Sequence, residues 1–268
     1  MPRMAVNGIN IHYNEYGAGS PILLVAGSGA KSTMWTLHQV PELVAAGYRV
    51  ITFDNRGMPP SDLCAEDSTI ADMVADTAGL IERLGIAPCR IVGFSLGAIL
   101  TQELLLERPD LFTRAVMMAT RGREDAMRSA LSVADHDILD FDVVLPPRYF
   151  AAIQALQFLS RRTQNDDQRV RDWLEIFEMS QPDPSVNRAQ RGLNITGNRL
   201  EEYRKIETDC LVIAFQDDVI TPPHLCREVA DSIPGCRYEK IDGCGHYGSL
   251  EEPARVNSLI IDFFREDL

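Results

Sequence analysis

IVGFSLGAIL, residues 91–100, decides how the rest of the chain is read. Ser95 is the one polar side chain in an apolar run, with Gly93 and Gly97 two residues to either side. The run before it, RIVGF (90–94), has the length of a strand, and AILTQELLLERP after it has the length of a helix. Between a strand and a helix, Gly-x-Ser-x-Gly lets the backbone turn sharply and holds the serine at a strained position that only small neighbours permit. The helix behind then aims its N-terminal dipole at the hydroxyl, with the Leu96 N–H directed at a developing oxyanion. The plain alternative is a serine packed as filler between two glycines. The strand-before, helix-after setting is what makes the pattern specific.

Similar alternation runs through most of the chain. PILLVAG (21–27), RVITFD (49–54), RAVMMAT (114–120), CLVIAF (210–215) and RYEKID (237–242) are strand-length runs bounded by Gly, Pro or charge. Several are apolar on both faces, as strands buried between two helix layers are. Helical patterns are predicted over roughly 34–46, 68–84, 95–107, 223–233 and 253–265, with Ser68 capping the second and Pro253 in the first turn of the last. The pattern predicts an α/β fold with a mostly parallel sheet and right-handed crossovers. NGINIHYNEYG near the start alternates and carries turn residues, which predicts an antiparallel hairpin at the sheet edge.

Residues 121–205 break the rhythm. They hold no good strand, and segments such as YFAAIQALQFLSRR and RVRDWLEIFEMS read as amphipathic helices. The chain therefore divides into a core domain of residues 1–120 and 206–268 and a helical insertion over 121–205. The insertion is either a helical decoration or a lid over the site.

Composition excludes several classes of function. The 268 residues are 45% hydrophobic and 24% charged, an ordinary globular balance that supports a sizeable core. A formal net charge of −13 argues against nucleic acid or an anionic membrane as a partner. The opening MPRMAVNGINIHYNE has no apolar h-region, so no signal peptide is expected. No stretch of about 18 apolar residues is present to span a membrane. The six cysteines form no CxxC pair and no zinc spacing, and read as buried, reduced thiols of a cytosolic protein. GSGAKS (27–32) has Ala30 where a phosphate loop needs glycine before lysine, and ADHDILD around His136 reads as a solvated helix face. No cofactor and no metal are expected.

A serine nucleophile needs a base, and the base needs an acid to orient it. Sites in parallel sheets form at the carboxyl ends of the strands. Of the five histidines, His246 and His224 have that placement, and His246 lies in GCGH, a small-residue loop directly after the last strand. The acid comes from the loop after an earlier strand, where CLVIAFQDDVITPP offers Asp217 and Asp218. Asp54 and Asp125 are weaker candidates by position. The order Ser, Asp, His along the chain fits the glycine-flanked serine.

With these residues in place the sequence resembles the α/β-hydrolase superfamily over essentially its whole length, and most closely its actinobacterial non-haem bromoperoxidase and chloroperoxidase branch. VAGSGA, ITFDNRG, GFSLGA, MATRGR, QDDVITPP and GCGH carry the resemblance. It implies that the acid stands four residues before the proline of a D-x-x-x-P element, which selects Asp218 (Pro222) over Asp217. It implies that 121–205 is a helical cap, and that the second oxyanion donor is the backbone N–H of Ser28. The chain departs from the pattern twice: Ala26-Gly27 replaces the usual His-Gly, and Pro59 replaces a glycine in RGMPPS. The peroxidase name in this branch implies a serine esterase that makes a peracid from a carboxylic acid and peroxide, with no haem or metal.

The expected function is a serine hydrolase of a carboxylic ester, thioester or lactone. Ser95 attacks, His246 moves the proton, Asp218 orients His246, and Leu96 and Ser28 supply oxyanion N–H groups. Trp173, Phe177 and Phe158 either shape a pocket for a small apolar acyl substrate or form the insertion's own core. The alternatives are carbon–carbon bond hydrolysis of a vinylogous diketone on the same residues, and a non-hydrolytic binder or biosynthetic cyclase that keeps the fold. The resemblance allows a monomer or a homo-oligomer.

Overall fold

The computed structural model describes residues 2–63, 68–141, 143–180 and 197–266. Its strands are β1 (Arg3–Val6), β2 (Ile9–Tyr16), β3 (Ser20–Val25), β4 (Tyr48–Phe53), β5 (Cys89–Phe94), β6 (Phe112–Met118), β7 (Asp209–Phe215) and β8 (Arg237–Ile241). They form one sheet in the order β1-β2-β4-β3-β5-β6-β7-β8. Asn7 and Gly8 turn β1 into β2 with φ of 43° and 79°. Two positive-φ residues are what a tight hairpin turn requires, so the expected edge hairpin forms here. β2 then pairs antiparallel with β4, and every later pairing is parallel. The chain leaves β3 to one side for β4 and comes back to its other side for β5. That reversal opens a crevice beyond the carboxyl end of β3, the general location of ligand sites in such sheets.

The helices are α1 (Gln39–Ala45), α2 (Ile70–Leu84), α3 (Leu96–Glu107), α4 (Ala126–Asp140), α5 (Pro147–Phe158), α6 (Arg161–Gln164), α7 (Asp167–Met179), α8 (Leu200–Tyr203), α9 (Pro223–Ser232), α10 (Gly248–Glu251) and α11 (Pro253–Arg265). Strand alternation sorts the core into two layers. Leu23, Val25, Ile91, Met117 and Val212 face α2, α3 and α9, while Ile22, Leu24, Val92, Val116 and Ile213 face α1 and α11. Each of these ten side chains is fully buried. At about 1.5–3 kcal/mol per buried aliphatic side chain, the two layers supply the main favourable term.

Two local expectations are corrected. The helix expected over 34–46 is a 3-10 turn, Ser32–Trp35, followed by the shorter α1. Trp35 is fully buried there, edge-on to Phe94 at 6.5 Å between centroids. The cap of α2 is Thr69 and not Ser68, because Asp72 three residues on completes a reciprocal capping box with Thr69. Pro253 does occupy the first turn of α11.

Between β6 and β7 the described residues form α4 to α8 and no strand. The Arg199 amide donates to the Gly122 carbonyl at 2.8 Å, so the excursion closes at its neck. Arg199 grips Glu103 on α3 at 2.6 and 3.1 Å, and the Tyr203 hydroxyl donates to the same carboxylate at 3.1 Å. α5 and α7 pack through Ala151, Ala155, Leu159 and Phe177, with Phe158 and Trp173 beside them. α4 is inverted: Met127 and Val133 lie open to solvent while Ser132 is buried.

Candidate active site

Ser95 sits between β5 and α3 with φ 52° and ψ −116°, a left-handed conformation that an L residue adopts only under constraint. The flanking glycines supply the room. A Cβ on Gly93 would overlap the Gly97 carbonyl and the Thr101 hydroxyl, and one on Gly97 would overlap the Val25 carbonyl. The Ser95 amide stays in the sheet, donating to the Met118 carbonyl at 3.0 Å. The hydroxyl is thereby held above the crevice by the β5–β6 ladder.

The Ser95 Oγ–H points at His246 Nε2 at 3.1 Å. On its other side the imidazole donates from Nδ1 to Asp218 Oδ2 at 2.8 Å. Asp218 Oδ1 accepts the amides of Ile220 and Thr221 at 2.8 and 2.9 Å, and Oδ2 accepts the Thr221 hydroxyl at 2.7 Å. Both carboxylate oxygens of Asp218 are satisfied and its side chain is fully buried, which fixes its direction. The His246 ring lies 5.0 Å from Phe94 and 5.5 Å from Phe158, centroid to centroid. Asp217 turns the other way, and its Oδ2 accepts the Arg161 amide at 3.0 Å. His224 pairs with Asp125 at 2.9 Å, and His12 with Asp54 at 2.7 Å. The structure thus brings Ser95, His246 and Asp218 together and leaves the other candidate bases and acids in separate pairs.

Leu96 is the first residue of α3, so its N–H belongs to the turn that has no intrahelical acceptor. Ser28 follows Gly27 in a turn closed by the Ala30 amide on the Gly27 carbonyl at 3.2 Å. Ala26, which replaces the family histidine, is fully buried, and the Asn55 side chain holds its carbonyl at 3.1 Å. The loops after β3 and β4 are further joined by Asp54, whose Oδ1 accepts the Ser32 amide at 2.7 Å. Ser28, Leu96, Ser95 and His246 all line one cavity of about 300 Å³.

Phe158 and Phe177 line that cavity, whereas Trp173 stands behind it, stacked on Phe177 at 5.5 Å. The wall is far more polar than an apolar acyl pocket: Arg121, Arg128, Asp135, His136, Gln154 and Gln157 belong to it. Burial, followed by the neighbouring Arg128 charge, pulls the Arg121 guanidinium down to about 10. Sequence reasoning passed over both arginines; an arginine just past a strand's carboxyl end, in MATRGR, was the available signal. Cys244, near His246, is buried, and burial followed by Glu251 pushes its thiol up to about 12, so it is a poor nucleophile. Cys64 lies outside the described residues.

Among the described residues no helix is long and apolar enough to cross a membrane. The sequence model of the "Alpha/beta hydrolase family" matches residues 22–259. A protein of Mycobacterium tuberculosis named "Putative non-heme bromoperoxidase BpoC" is 47% identical over 258 residues, covering 96% of this chain and 98% of that protein. Its crystal structure superimposes with a TM-score of 0.92 over 96% of both chains. The 2-hydroxy-6-oxo-6-phenylhexa-2,4-dienoate hydrolase of Comamonas testosteroni is 26% identical over 263 residues, covering 96% of this chain and 91% of that one. The enol-lactonase of Burkholderia xenovorans LB400, 23% identical, shares the fold with a TM-score of 0.85 over 99% of this chain and 100% of its own.

Proposed function

The chain belongs to the alpha/beta hydrolase family, and within it we propose that it hydrolyses a carboxylic ester, thioester or lactone through an acyl-enzyme on Ser95. The observation that carries this reading is the continuous line from Ser95 Oγ to His246 Nε2 and from His246 Nδ1 to Asp218, opening on a cavity. His246 Nε2 accepts the proton as Ser95 Oγ bonds the acyl carbon, and returns it to the departing alcohol, thiol or ring oxygen. Asp218 holds the tautomer with Nδ1 protonated and faces the imidazolium that forms. The N–H groups of Leu96 and Ser28 receive the tetrahedral oxyanion, each such donor being worth about 3–4 kcal/mol. Water, deprotonated by His246, then releases the acid. Hydrogen peroxide in place of water would release a peracid, so perhydrolysis is the same second half-reaction with a different nucleophile.

The helices between β6 and β7 act in this reading as a lid, with α4 and α5 forming the cavity's outer wall. A second reading, carbon–carbon bond hydrolysis on the same residues, is favoured by the likeness to the Comamonas hydrolase. A ring-fission dienoate separates the two, because only that reaction consumes it.

The test is intact mass after exposure to a fluorophosphonate, for wild type and Ser95→Ala. A single adduct on wild type, absent from the variant, is expected. A folded wild type that takes no adduct overturns the reading.

A further inference from the structure

The polar wall of the cavity faces Ser95 with more cationic capacity than its own carboxylates use. Arg121 follows β6 directly and is only 7% exposed, yet it lines the cavity. It meets a carboxylate at one atom, Nη2 to Glu124 Oε1 at 3.4 Å, and among the described residues its buried Nε has no hydrogen-bond partner. Arg128 is similar: Nη2 donates to Ser132 Oγ at 3.1 Å and lies 3.8 Å from Asp135, and among the described residues its Nε has no partner. Glu124 is itself shared, since it also accepts the Ser132 hydroxyl at 2.9 Å.

Another buried arginine in the same molecule supplies the contrast. Arg56 holds Asp76 with two close bonds, 2.6 and 2.7 Å. A buried guanidinium normally acquires such a fork-to-carboxylate pair, because desolvation of the charge is otherwise uncompensated. Among the described residues Arg121 has none. Its backbone is nevertheless held: the Gln102 side chain donates to the Arg121 carbonyl at 3.1 Å and to Tyr203 Oη at 2.8 Å, tying it to the base of the lid. Arg128, Ser132, Asp135 and His136 present one face of α4 to the cavity, at helical spacing.

We propose that Arg121 and Arg128 form a carboxylate-binding subsite, so that the substrate is an acyl compound carrying a second, free carboxylate away from the bond that Ser95 attacks. This rests on the hydrolase reading of the cavity and narrows its substrate class. Two guanidinium groups face Glu124 and Asp135, so the formal charge of the wall is balanced and what it has to spare is hydrogen-bond donors, which suits one added carboxylate better than a phosphate dianion.

The experiment compares p-nitrophenyl hydrogen adipate with p-nitrophenyl hexanoate, two esters matched in length that differ by the distal carboxylate. In wild type kcat/KM is expected to favour the adipate by about tenfold or more, and in Arg121→Met the ratio should fall to about one. Equal kcat/KM for the two esters in wild type, or an unchanged ratio in Arg121→Met, overturns the subsite. If Arg121→Met does not melt cooperatively, Arg128→Met, whose change lies on the helix, carries the same comparison. Binding of monomethyl adipate to Ser95→Ala by calorimetry reads the subsite without chemistry, and adding Arg121→Met should weaken it by about tenfold. Arg121-dependent binding together with no fluorophosphonate adduct would keep the subsite and remove the hydrolase. An adduct together with a ratio of one would do the reverse.

Discussion

Ser160 and Glu251 meet across 91 residues of chain: the Ser160 amide and hydroxyl both donate to the Glu251 carboxylate, at 3.0 and 2.7 Å. The same carboxylate accepts the amide of Gly245, the neighbour of His246, at 2.6 Å. Glu251 is only 5% exposed. It therefore fastens the His246 loop to the junction of α5 and α6, where the Tyr247 amide also donates to the Phe158 carbonyl at 3.0 Å. In Glu251→Ala three donors lose their acceptor in a closed environment. Unfolding free energy in a urea titration is expected to fall by about 2–4 kcal/mol. Turnover should fall as well, while Glu251→Gln, which keeps one carbonyl acceptor, should lie between the two.

The two adjacent aspartates are expected to separate cleanly. Asp218→Asn leaves a side chain of the same shape but weakens the partner of His246 Nδ1, and kcat should drop by about 10³–10⁴. Asp217→Asn alters an acceptor of the Arg161 amide and should change kcat by less than about threefold. The reverse order in an esterase assay would move the acid to Asp217.

Gly97→Ala places a methyl group against the Val25 carbonyl, which cannot retreat without disturbing the β3–β5 ladder that Val25 belongs to. A loss of about 2–3 kcal/mol is expected in denaturant titration, with lowered labelling of Ser95 in the protein that remains folded.

The five cysteines among the described residues should resist alkylation in the folded protein. Burial pushes the thiols of Cys89, Cys236 and Cys244 up to about 12 and drives Cys210 and Cys226 upward as well. The attacking species is the thiolate, scarce at pH 8 for each of these. Iodoacetamide at that pH, followed by mass analysis, should leave all five unmodified in the folded protein and modify them in urea.

The preference for a carboxylate-bearing ester should depend on pH in one direction. Arg121 loses its charge as pH rises through about 10, and anion binding needs the charged form, which predominates below that value. Burial lowers it most and Arg128 next, Glu124 and the upward-shifted Tyr203 oppose this, and Asp135 and His136 share the cavity. The adipate-to-hexanoate ratio should be level to about pH 9 and decline above it. A ratio rising with pH would exclude Arg121 as the receiving group.

Much of the architecture was legible because the strands carry apolar residues on both faces, a pattern that short surface elements lack. Ser95, with its glycines and the strand and helix around it, was legible for the same reason: steric demands on the backbone leave marks in the sequence. The choice between Asp217 and Asp218 was legible only through the family resemblance, by the spacing from Asp218 to Pro222; the residue types alone leave both at one strand end, where the Ile220 and Thr221 amides hold Asp218 in place. The polar wall was not legible. α4 turns Ser132 inward and leaves Met127 and Val133 outside, so its amphipathic pattern points opposite to the usual rule. The split of 34–46 into two pieces follows from burying Trp35 beside Phe94, a tertiary demand that periodicity does not register.

The Gly122–Arg199 hydrogen bond has an engineering consequence. A segment whose two ends are already clasped can be cut out and replaced without asking the remaining chain to bridge a gap. Neither β6 nor β7 would have to move, because they pair with each other directly. A different helical segment grafted between residues 122 and 199 would have to resupply the Ser160 and Phe158 contacts that hold the His246 loop, and with those kept the crevice above Ser95 could be reshaped by cassette exchange.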